Sequence, residues 1–398
     1  MNFKDKKILL GVCGGIAAYK ALELVSQLKK SGAEVKVIMT KSATEFVAPL
    51  SFQALSQNPV CVDMFEEPKA WEIQHISLAK WADALAVVPA TANIIGKIAN
   101  GIADDMLSTT AMACRAPLVI APAMNTAMYK SAAVQRNVGI LKENGAYFAD
   151  PESGRLACGD TGEGKLTTTD KIIKTIYSAV FFPDRDFEGK KVLVTAGATI
   201  ERIDPVRYIT NNSSGKMGVA IAEAAAMRGA DVTLVYGKCE TQLPYAAKCV
   251  SVTSAEDMYS AVMREAESAD VVIKAAAVAD YRPSSVAENK IKKGGMQSIE
   301  LVQNKDILSE LGKRYSGKKI LVGFCMETEN LLENAEKKLK SKGIDMIAAN
   351  SLNEKGAGFK SDTNIITLID KDGTREKTEM CSKFDIANII LDRIRKKW

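Results

Sequence analysis

The sequence is poorest in histidine: among 398 residues there is one, His75. A lone imidazole excludes any Cys/His zinc pattern, and the eight cysteines, at 13, 61, 114, 158, 239, 249, 325 and 381, form no C-x-x-C pair. A structural metal site is therefore not expected. Thiols scattered among mostly apolar neighbours suit a reducing cytoplasm. Long hydrophobic runs are missing too, since none reaches the ~18 residues of a membrane span. The charged start Met1-Asn2-Phe3-Lys4-Asp5 leads straight into a strand-like run and does not read as a signal peptide. Neither half carries G-x-G-x-x-G, and no G-x-x-x-x-G-K-[ST] occurs, which argues against a P-loop ATPase. Aromatic residues make up 6%, no stretch mixes them with a dense basic patch, and the net charge is only +5. Anionic small molecules, not nucleic acid, are the expected partners.

What is present is an ordinary globular balance, 47% hydrophobic and 25% charged, over a length that suggests two or three domains. Lys7-Ile8-Leu9-Leu10-Gly11-Val12 reads as a short buried strand before a glycine-rich turn. A helix over about 17–30 follows with Leu22, Val25 and Leu28 at helical spacing, then Gly32 and a strand over 34–40. The pattern recurs: a strand over 191–194, an Ala-rich helix over 218–228, Gly229, and a strand over 231–235. A second echo pairs 82–90 with 269–276, each opening Ala-Asp. Each half thus reads as its own α/β unit, a mostly parallel sheet flanked by helices. The stretch 182–189 is the natural boundary, giving domains 1–185 and 186–398.

In such sheets ligands border the strand C-termini. Glycines at Gly11, Gly14 and Gly15 allow backbone N–H groups to approach a phosphate, although alone this spacing also reads as a tight turn. Thr40 and Ser42, Thr91 and Asn93, then Ser108, Thr109 and Thr110 are expected at further strand ends. Singly each is a helix cap; together they favour a mononucleotide pocket. His75 sits at an expected helix start and is the one side chain that ordinarily titrates near neutrality. Asn125 lies at the mouth of the strand 118–120, and Cys158 sits in a glycine-rich flap, where a reactive thiol is expected.

The segments around Gly11 to Gly15, His75, Pro122-x-Met-Asn125-x-x-Met128 and Cys158 resemble the flavin-dependent decarboxylases of peptidyl or pantothenoyl cysteine. With its second half, nearly the whole chain resembles the bacterial bifunctional phosphopantothenoylcysteine decarboxylase/phosphopantothenate–cysteine ligases of coenzyme A synthesis. The resemblance implies a flavodoxin-like flavoprotein domain joined to a Rossmann-like ligase domain. It implies FMN held by Gly11, Gly14, Gly15, Thr40, Ser42, Thr91, Asn93, Ser108 and Thr109. His75 is implied as base or orienting group, Asn125 as the grip on the substrate carboxylate or amide, and Cys158 as proton donor, with Lys80 and Met128 at the substrate. Tyr129 stands where the motif usually has Trp.

The second half offers Thr195-Ala-Gly197-Ala-Thr199 after a strand and a long polar loop over 204–218, a segment more often functional than decorative. Asp280 lies past a strand and Lys290 on a glycine-tipped lysine loop, a pairing able to engage a triphosphate and its Mg²⁺. Asn304, Lys305, Asp306 and Ile307 open a helix, Phe324 is expected just past a strand, and Lys338 and Lys342 share a helix face. The resemblance implies CTP-dependent ligation of 4'-phosphopantothenate with cysteine through an acyl cytidylate. Asn211 is implied at the acyl intermediate, Arg207 at the acyl substrate and Lys290 at the phosphates. Lys274, Ala275, Ala276, Asp280, Asn304 to Ile307, Phe324, Lys338 and Lys342 are implied around CTP. It further implies a homo-oligomer of trimeric decarboxylase units linked by ligase dimers. Two other readings stand beside it: an FMN/NAD(P) flavin oxidoreductase, disfavoured by the missing fingerprints, and a non-catalytic flavoprotein subunit, which needs neither Cys158 nor the Asp280/Lys290 loop.

Overall fold

The computed structural model describes residues 1–65, 73–157, 159–292, 298–327, 330–351 and 361–398. The chain divides into two compact units, Met1–Pro183 and Asp184–Trp398.

The first unit is built on six strands, β1 (Lys7–Val12), β2 (Glu34–Met39), β3 (Val60–Cys61), β4 (Ala84–Ala90), β5 (Leu118–Pro122) and β6 (Tyr147–Phe148), all paired in parallel in the order β3-β2-β1-β4-β5-β6. Alternation explains how one strand serves two cores. Ile8, Leu10 and Val12 pack into the cluster that holds Leu24, Leu28 and Phe52, whereas Leu9 faces the opposite cluster with Ile94 and Leu107. A two-stranded flap, β7 (Glu152–Arg155) and β8 (Thr161–Lys165), pairs antiparallel beyond the sheet.

In the second unit β9 (Lys191–Ala196) starts the sheet and is followed by the hairpin β10 (Ile200–Arg202) and β11 (Tyr208–Thr210). Then come β12 (Asp231–Tyr236), β13 (Ala247–Ser251), β14 (Val271–Lys274), and the hairpin β15 (Tyr281–Pro283) and β16 (Leu301–Gln303). The remainder are β17 (Ile320–Glu327), β18 (Met346–Ser351), the short pair β19 (Thr363–Asn364) and β22 (Cys381–Ser382), and β20 (Ile366–Asp370) with β21 (Arg375–Lys377). The sheet order is β13-β12-β9-β14-β17-β18-β20-β21, with every pairing parallel except β18–β20 and β20–β21, which are antiparallel. Its first six strands repeat the order of the first unit, so both halves are α/β sheets covered by helices.

The repeated Ala-Asp opening has a structural cause. Asp83 accepts a hydrogen bond from Lys7 N at 2.8 Å and Asp270 one from Lys191 N at 2.8 Å, while the N–H of each aspartate donates to the same residue's carbonyl. Asp345 repeats the device at Leu321, at 2.9 Å. Each carboxylate satisfies an N–H at the start of a strand, the first residue for Lys7 and Lys191 and the second for Leu321.

Some local expectations are corrected. The first helix is a 3₁₀ turn, Ile16–Tyr19, running into an α-helix at Lys20–Lys30. Ser108 to Thr110 follow no strand; they lie inside the helix Met106–Ala113, where Ser108 and Asp105 cap each other. Phe324 lies within β17, which runs on to Glu327. The polar stretch after Asp204 is partly a strand, β11, because its backbone pairs with β10.

Candidate active sites

At the C-terminal rim of the first sheet, β1 leads into Cys13-Gly14-Gly15. A Cβ at Gly14 would lie 2.5 Å from Ser42 Cβ and 2.7 Å from the Ser42 carbonyl, so only glycine allows β1 to run against the turn after β2. Gly11 is fixed by packing, since a side chain there would strike Leu107. Thr40 caps the short helix Lys41–Thr44 by accepting from Ala43 N, and Thr91 caps Ala92–Ala99 by accepting from Ile94 N. Asn93 is exposed on the latter helix.

Gly14, Gly15, Thr91, Asn125 and Met128 line one cavity of about 470 Å³, walled by Ile16, Tyr19, Pro89 and Leu156. Bare glycine backbone at one end and an apolar slab beyond it suit a phosphate and a planar ring. Thr109 Oγ1, on the helix packed against Gly11, is buried with no hydrogen-bond partner among the described residues, but Thr109 does not itself line the cavity. The bare glycine backbone and the apolar slab fit a flavin mononucleotide. Cys13 is not a reactive thiol, because burial pushes it up to about 12 despite a hydrogen bond from the Thr91 backbone.

Asn125 caps the helix Thr126–Lys130, its Oδ1 accepting from Ala127 N at 2.8 Å, and its Nδ2 donates to Asp160 Oδ2 at 3.1 Å. The flap therefore rests on the Asn125 loop. Met124 N donates to Gly164 O at 3.0 Å, and side chains at Gly162 or Gly164 would collide with Thr126 or the Met124 carbonyl. Cys158 lies outside the described residues. His75 and Lys80 stand on the helix Gln74–Trp81, half-buried and exposed respectively, and are not among the residues lining the cavity.

In the second unit the ends of β9 and β14 are stitched together: Ala276 N donates to Thr195 Oγ1 at 3.1 Å and Ala279 N to Thr199 Oγ1 at 3.0 Å. Asn211 reaches the same segment, donating to Ala277 O at 3.1 Å and Val278 O at 3.2 Å. Lys274 closes β14, with Ala275 and Ala276 next. Burial, and then the charge of Lys338, depress its pKa to about 8, against the pull of Asp306 and Asp280. Lys342 Nζ pairs with Asp306 Oδ2 at 2.6 Å. Burial would raise Asp306, but that contact, the Ser309 N–H and the nearby lysines hold it below the usual carboxylate range. Lys274, Asp280, Asp306, Lys338 and Lys342 are thus gathered at one rim. Asn304 donates to Ala279 O at 2.9 Å and accepts from Arg282 at 2.8 Å, while Ile307 begins the helix that Asp306 caps. Phe324 is half-buried on β17. The Lys305 side chain turns elsewhere, to Glu256 at 2.7 Å. Lys290 is exposed, and the residue after it is tied to Asp204 and Arg207.

Residues 2–181 match the flavoprotein family model, and residues 187–397 match the C-terminal domain of the DNA/pantothenate metabolism flavoproteins. The coenzyme A biosynthesis bifunctional protein CoaBC of Bacillus subtilis (strain 168) is 49% identical over 395 residues, 98% of this chain and 97% of that protein. The chain belongs to the bifunctional coenzyme A biosynthesis family. The family protein of Escherichia coli (strain K12) is 42% identical over 402 residues, 99% of this chain and 98% of its own. A solved structure of the C-terminal domain of such a bifunctional protein is 44% identical, covering 53% of this chain and 97% of that one, with a TM-score of 0.46.

As a bifunctional coenzyme A biosynthesis enzyme the chain has two rims to account for, and sequence reasoning overlooked part of the first. Arg155 and Lys20 line the first cavity, and Asp160 holds Asn125; an acid two residues past a flap thiol was the available signal. In the second unit Thr195 and Thr199 are fully buried hydroxyls at a strand end, a polar element in an apolar run. Among the described residues no three His, Cys, Asp or Glu side chains form a metal cluster, and no helix is long and apolar enough to cross a membrane.

Proposed function

We propose that the Asp184–Trp398 unit joins 4'-phosphopantothenate to cysteine at the expense of CTP, and that the Met1–Pro183 unit decarboxylates the resulting phosphopantothenoylcysteine to 4'-phosphopantetheine. The observation that carries this reading is end-to-end similarity to a two-activity protein, together with a separate polar rim in each unit.

In the ligation, the carboxylate of phosphopantothenate attacks the α-phosphate of CTP with loss of pyrophosphate, and the cysteine amine then displaces CMP from the acyl cytidylate. Lys290 and the Lys274–Lys338–Lys342 group offset negative charge on the phosphates. Asp280 faces the same rim and suits the Mg²⁺ that accompanies CTP. Asn211, oriented by the Ala277 and Val278 carbonyls, stabilises the acyl intermediate, and Arg207 holds the acyl substrate.

In the decarboxylation, the Gly14–Gly15 backbone, Ser42 and Thr91 hold the FMN. When bound, the flavin supplies the oxidation of the cysteinyl thiol, and the later return of electrons, that make loss of the carboxylate easy. Asn125 exchanges Asp160 for the substrate carboxylate or amide, Cys158 delivers a proton, and the flap excludes water. His75 and Lys80 lie off the cavity of a single chain, which supports a site completed by a second copy. Exposed Ile16, Tyr19 and Leu50 on this unit, and Tyr208, Tyr281 and Leu301 on the other, supply apolar surface for trimers and dimers. The free cysteines suit the cytoplasm.

Paired assays on one preparation test the assignment: CMP release with cysteine ligation, and CO2 release from supplied phosphopantothenoylcysteine. Lys290→Gln abolishes the first and leaves the second. Loss of both in a folded, flavin-loaded protein refutes the two-site reading. NADPH consumption without CO2 release would favour the flavin oxidoreductase.

A further inference from the structure

Asp204 is a carboxylate with no obvious duty in the ligation, yet it is 1% exposed and fully hydrogen-bonded. Its Oδ1 accepts from Val206 N at 2.8 Å and Arg207 N at 2.7 Å. Its Oδ2 accepts from Arg207 Nη1 at 3.2 Å and from Ile291 N at 3.2 Å. Arg207 Nη1 also donates to Ile291 O at 3.1 Å, and Ala287 N donates to Ile203 O at 3.0 Å. Burial alone would raise this carboxyl; the three N–H groups and the guanidinium hold it below its ordinary value.

These contacts do two different things. Oδ1 closes a local turn, a service any Asx side chain performs. Oδ2 reaches across to the loop that carries Lys290, one residue from its partner Ile291. A turn by itself requires neither the burial nor the second oxygen, and burying a carboxylate is costly unless each donor serves it.

We propose that Asp204 is a positioning residue for ligation: it fixes the Arg207 turn and the Lys290 loop to each other, so that the group meeting the acyl substrate and the group meeting the nucleotide phosphates are set as a pair. The proposal rests on the roles given above to Arg207 and Lys290. Asp204 touches no substrate. It acts through those two side chains, and its own share of the coupling runs through Oδ2, beside the Arg207 Nη1–Ile291 O and Ala287 N–Ile203 O bonds.

Asp204→Asn separates the two services. The amide oxygen still accepts from Val206 N and Arg207 N, so the turn persists. The amide nitrogen, however, presents a donor to the Ile291 N–H and the Arg207 guanidinium, so the Oδ2 contact is lost and the lysine loop is held only by the Arg207 Nη1–Ile291 O and Ala287 N–Ile203 O bonds. In the full-length protein, KM for both CTP and 4'-phosphopantothenate rises, and kcat/KM for ligation falls about 10- to 100-fold, the scale of a misplaced positioning group. Hydrogen exchange quickens across residues 285–292. Decarboxylation of supplied substrate stays as in the parent. In calorimetric CTP titrations Asp204→Asn added to Lys290→Gln weakens binding little beyond Lys290→Gln alone, as expected of residues acting as one unit.

Ligation kinetics within twofold of the parent overturn the proposal. So does a fall in kcat with unchanged KM and a lowered melting temperature, the mark of a purely structural residue, and so do additive losses in CTP binding. A separate result, Lys290→Gln ligating at the parental rate, overturns the phosphate role of that lysine. In that event, quickened exchange at 285–292 with raised KM for phosphopantothenate in Asp204→Asn still upholds Asp204 through Arg207, and their absence refutes it.

Discussion

Replacing Lys274 by methionine separates what this side chain does to the fold from what it does for the nucleotide. The lysine sits at the end of β14 among Lys338, Lys342, Asp306 and Asp280, and its pKa falls from 10.5 to about 8. The unfolded chain therefore binds a proton more readily than the native one between those two pH values. Stability rises with pH through that interval, and the full penalty is present below about pH 8. At about 1.36 kcal/mol per pKa unit the penalty is at most roughly 3 kcal/mol, and less in proportion to the water the ammonium still meets. Lys274→Met removes it, and the ligase unit melts higher at pH 7, by about 2–4 °C per kcal/mol gained. A triphosphate reverses the balance, since it favours the ammonium and draws its pKa back up. CTP affinity in the parent protein is accordingly greatest below about pH 8 and falls as pH rises above it, by up to about tenfold per unit. The methionine variant binds CTP more weakly and loses that pH dependence. The checks are calorimetric CTP titrations from pH 6.5 to 9.5 and thermal melts across the same range. A parental pH profile in Lys274→Met, or a variant that melts lower at pH 7 than at pH 9.5 to the same degree as the parent, refutes the reasoning.

Gly14→Ala places a methyl 2.5 Å from Ser42 Cβ, so the β1 turn must shift; the purified variant is colourless and releases no FMN on denaturation, read by absorbance and mass spectrometry. Cys158→Ser oxidises and decarboxylates the cysteinyl substrate but stalls before the final reduction, so the oxidised enethiol accumulates; complete turnover removes this thiol from the mechanism. Arg228 is 2% exposed by side chain between Asp186 at 2.5 Å and Asp392 at 2.7 Å, clasping the first and last segments of the second unit. Arg228→Ala leaves Asp186 with Arg395 alone, at 3.3 Å, and empties a buried site, so that unit loses about 1–3 kcal/mol in denaturant titrations, with FMN retention unchanged.

Much of this was legible because the same sentence is written twice. Strand, glycine turn, amphipathic helix and strand are periodic signals, and the Ala-Asp echo at 83 and 270 marks a specific backbone bond. Gly14 was legible as a close approach, although its neighbour turned out to be the Ser42 turn. What stayed hidden depends on contacts between residues far apart in the chain. Ser108 and Thr109 look like a strand-end hydroxyl cluster, but Asp105 converts the first into a helix cap. Lys305 has the composition of a phosphate ligand and spends its charge on Glu256, 49 positions away. Asp204 reads as a turn residue because the turn is local, whereas its second oxygen serves a partner 87 positions on. Phe324 looks like a strand end only because Gly323 interrupts the apolar run; that glycine is there for Leu308 and Ile344, which a Cβ would strike.

The aspartates at 83 and 270 each fasten a strand by its first residue and Asp345 fastens one by its second, on the rim opposite the one that carries the cavity and the lysine cluster. This makes the two edges of each sheet mechanically unequal. The N-terminal edge behaves as a riveted seam, where a changed residue is felt by two strands at once. At the C-terminal edge the strands run out into glycine turns, hairpins and flaps, whose lengths vary without disturbing the seam. Loops grafted or lengthened after β4, β14 or β17 therefore leave strand register intact, whereas a one-residue insertion before Asp83 or Asp270 unpicks it.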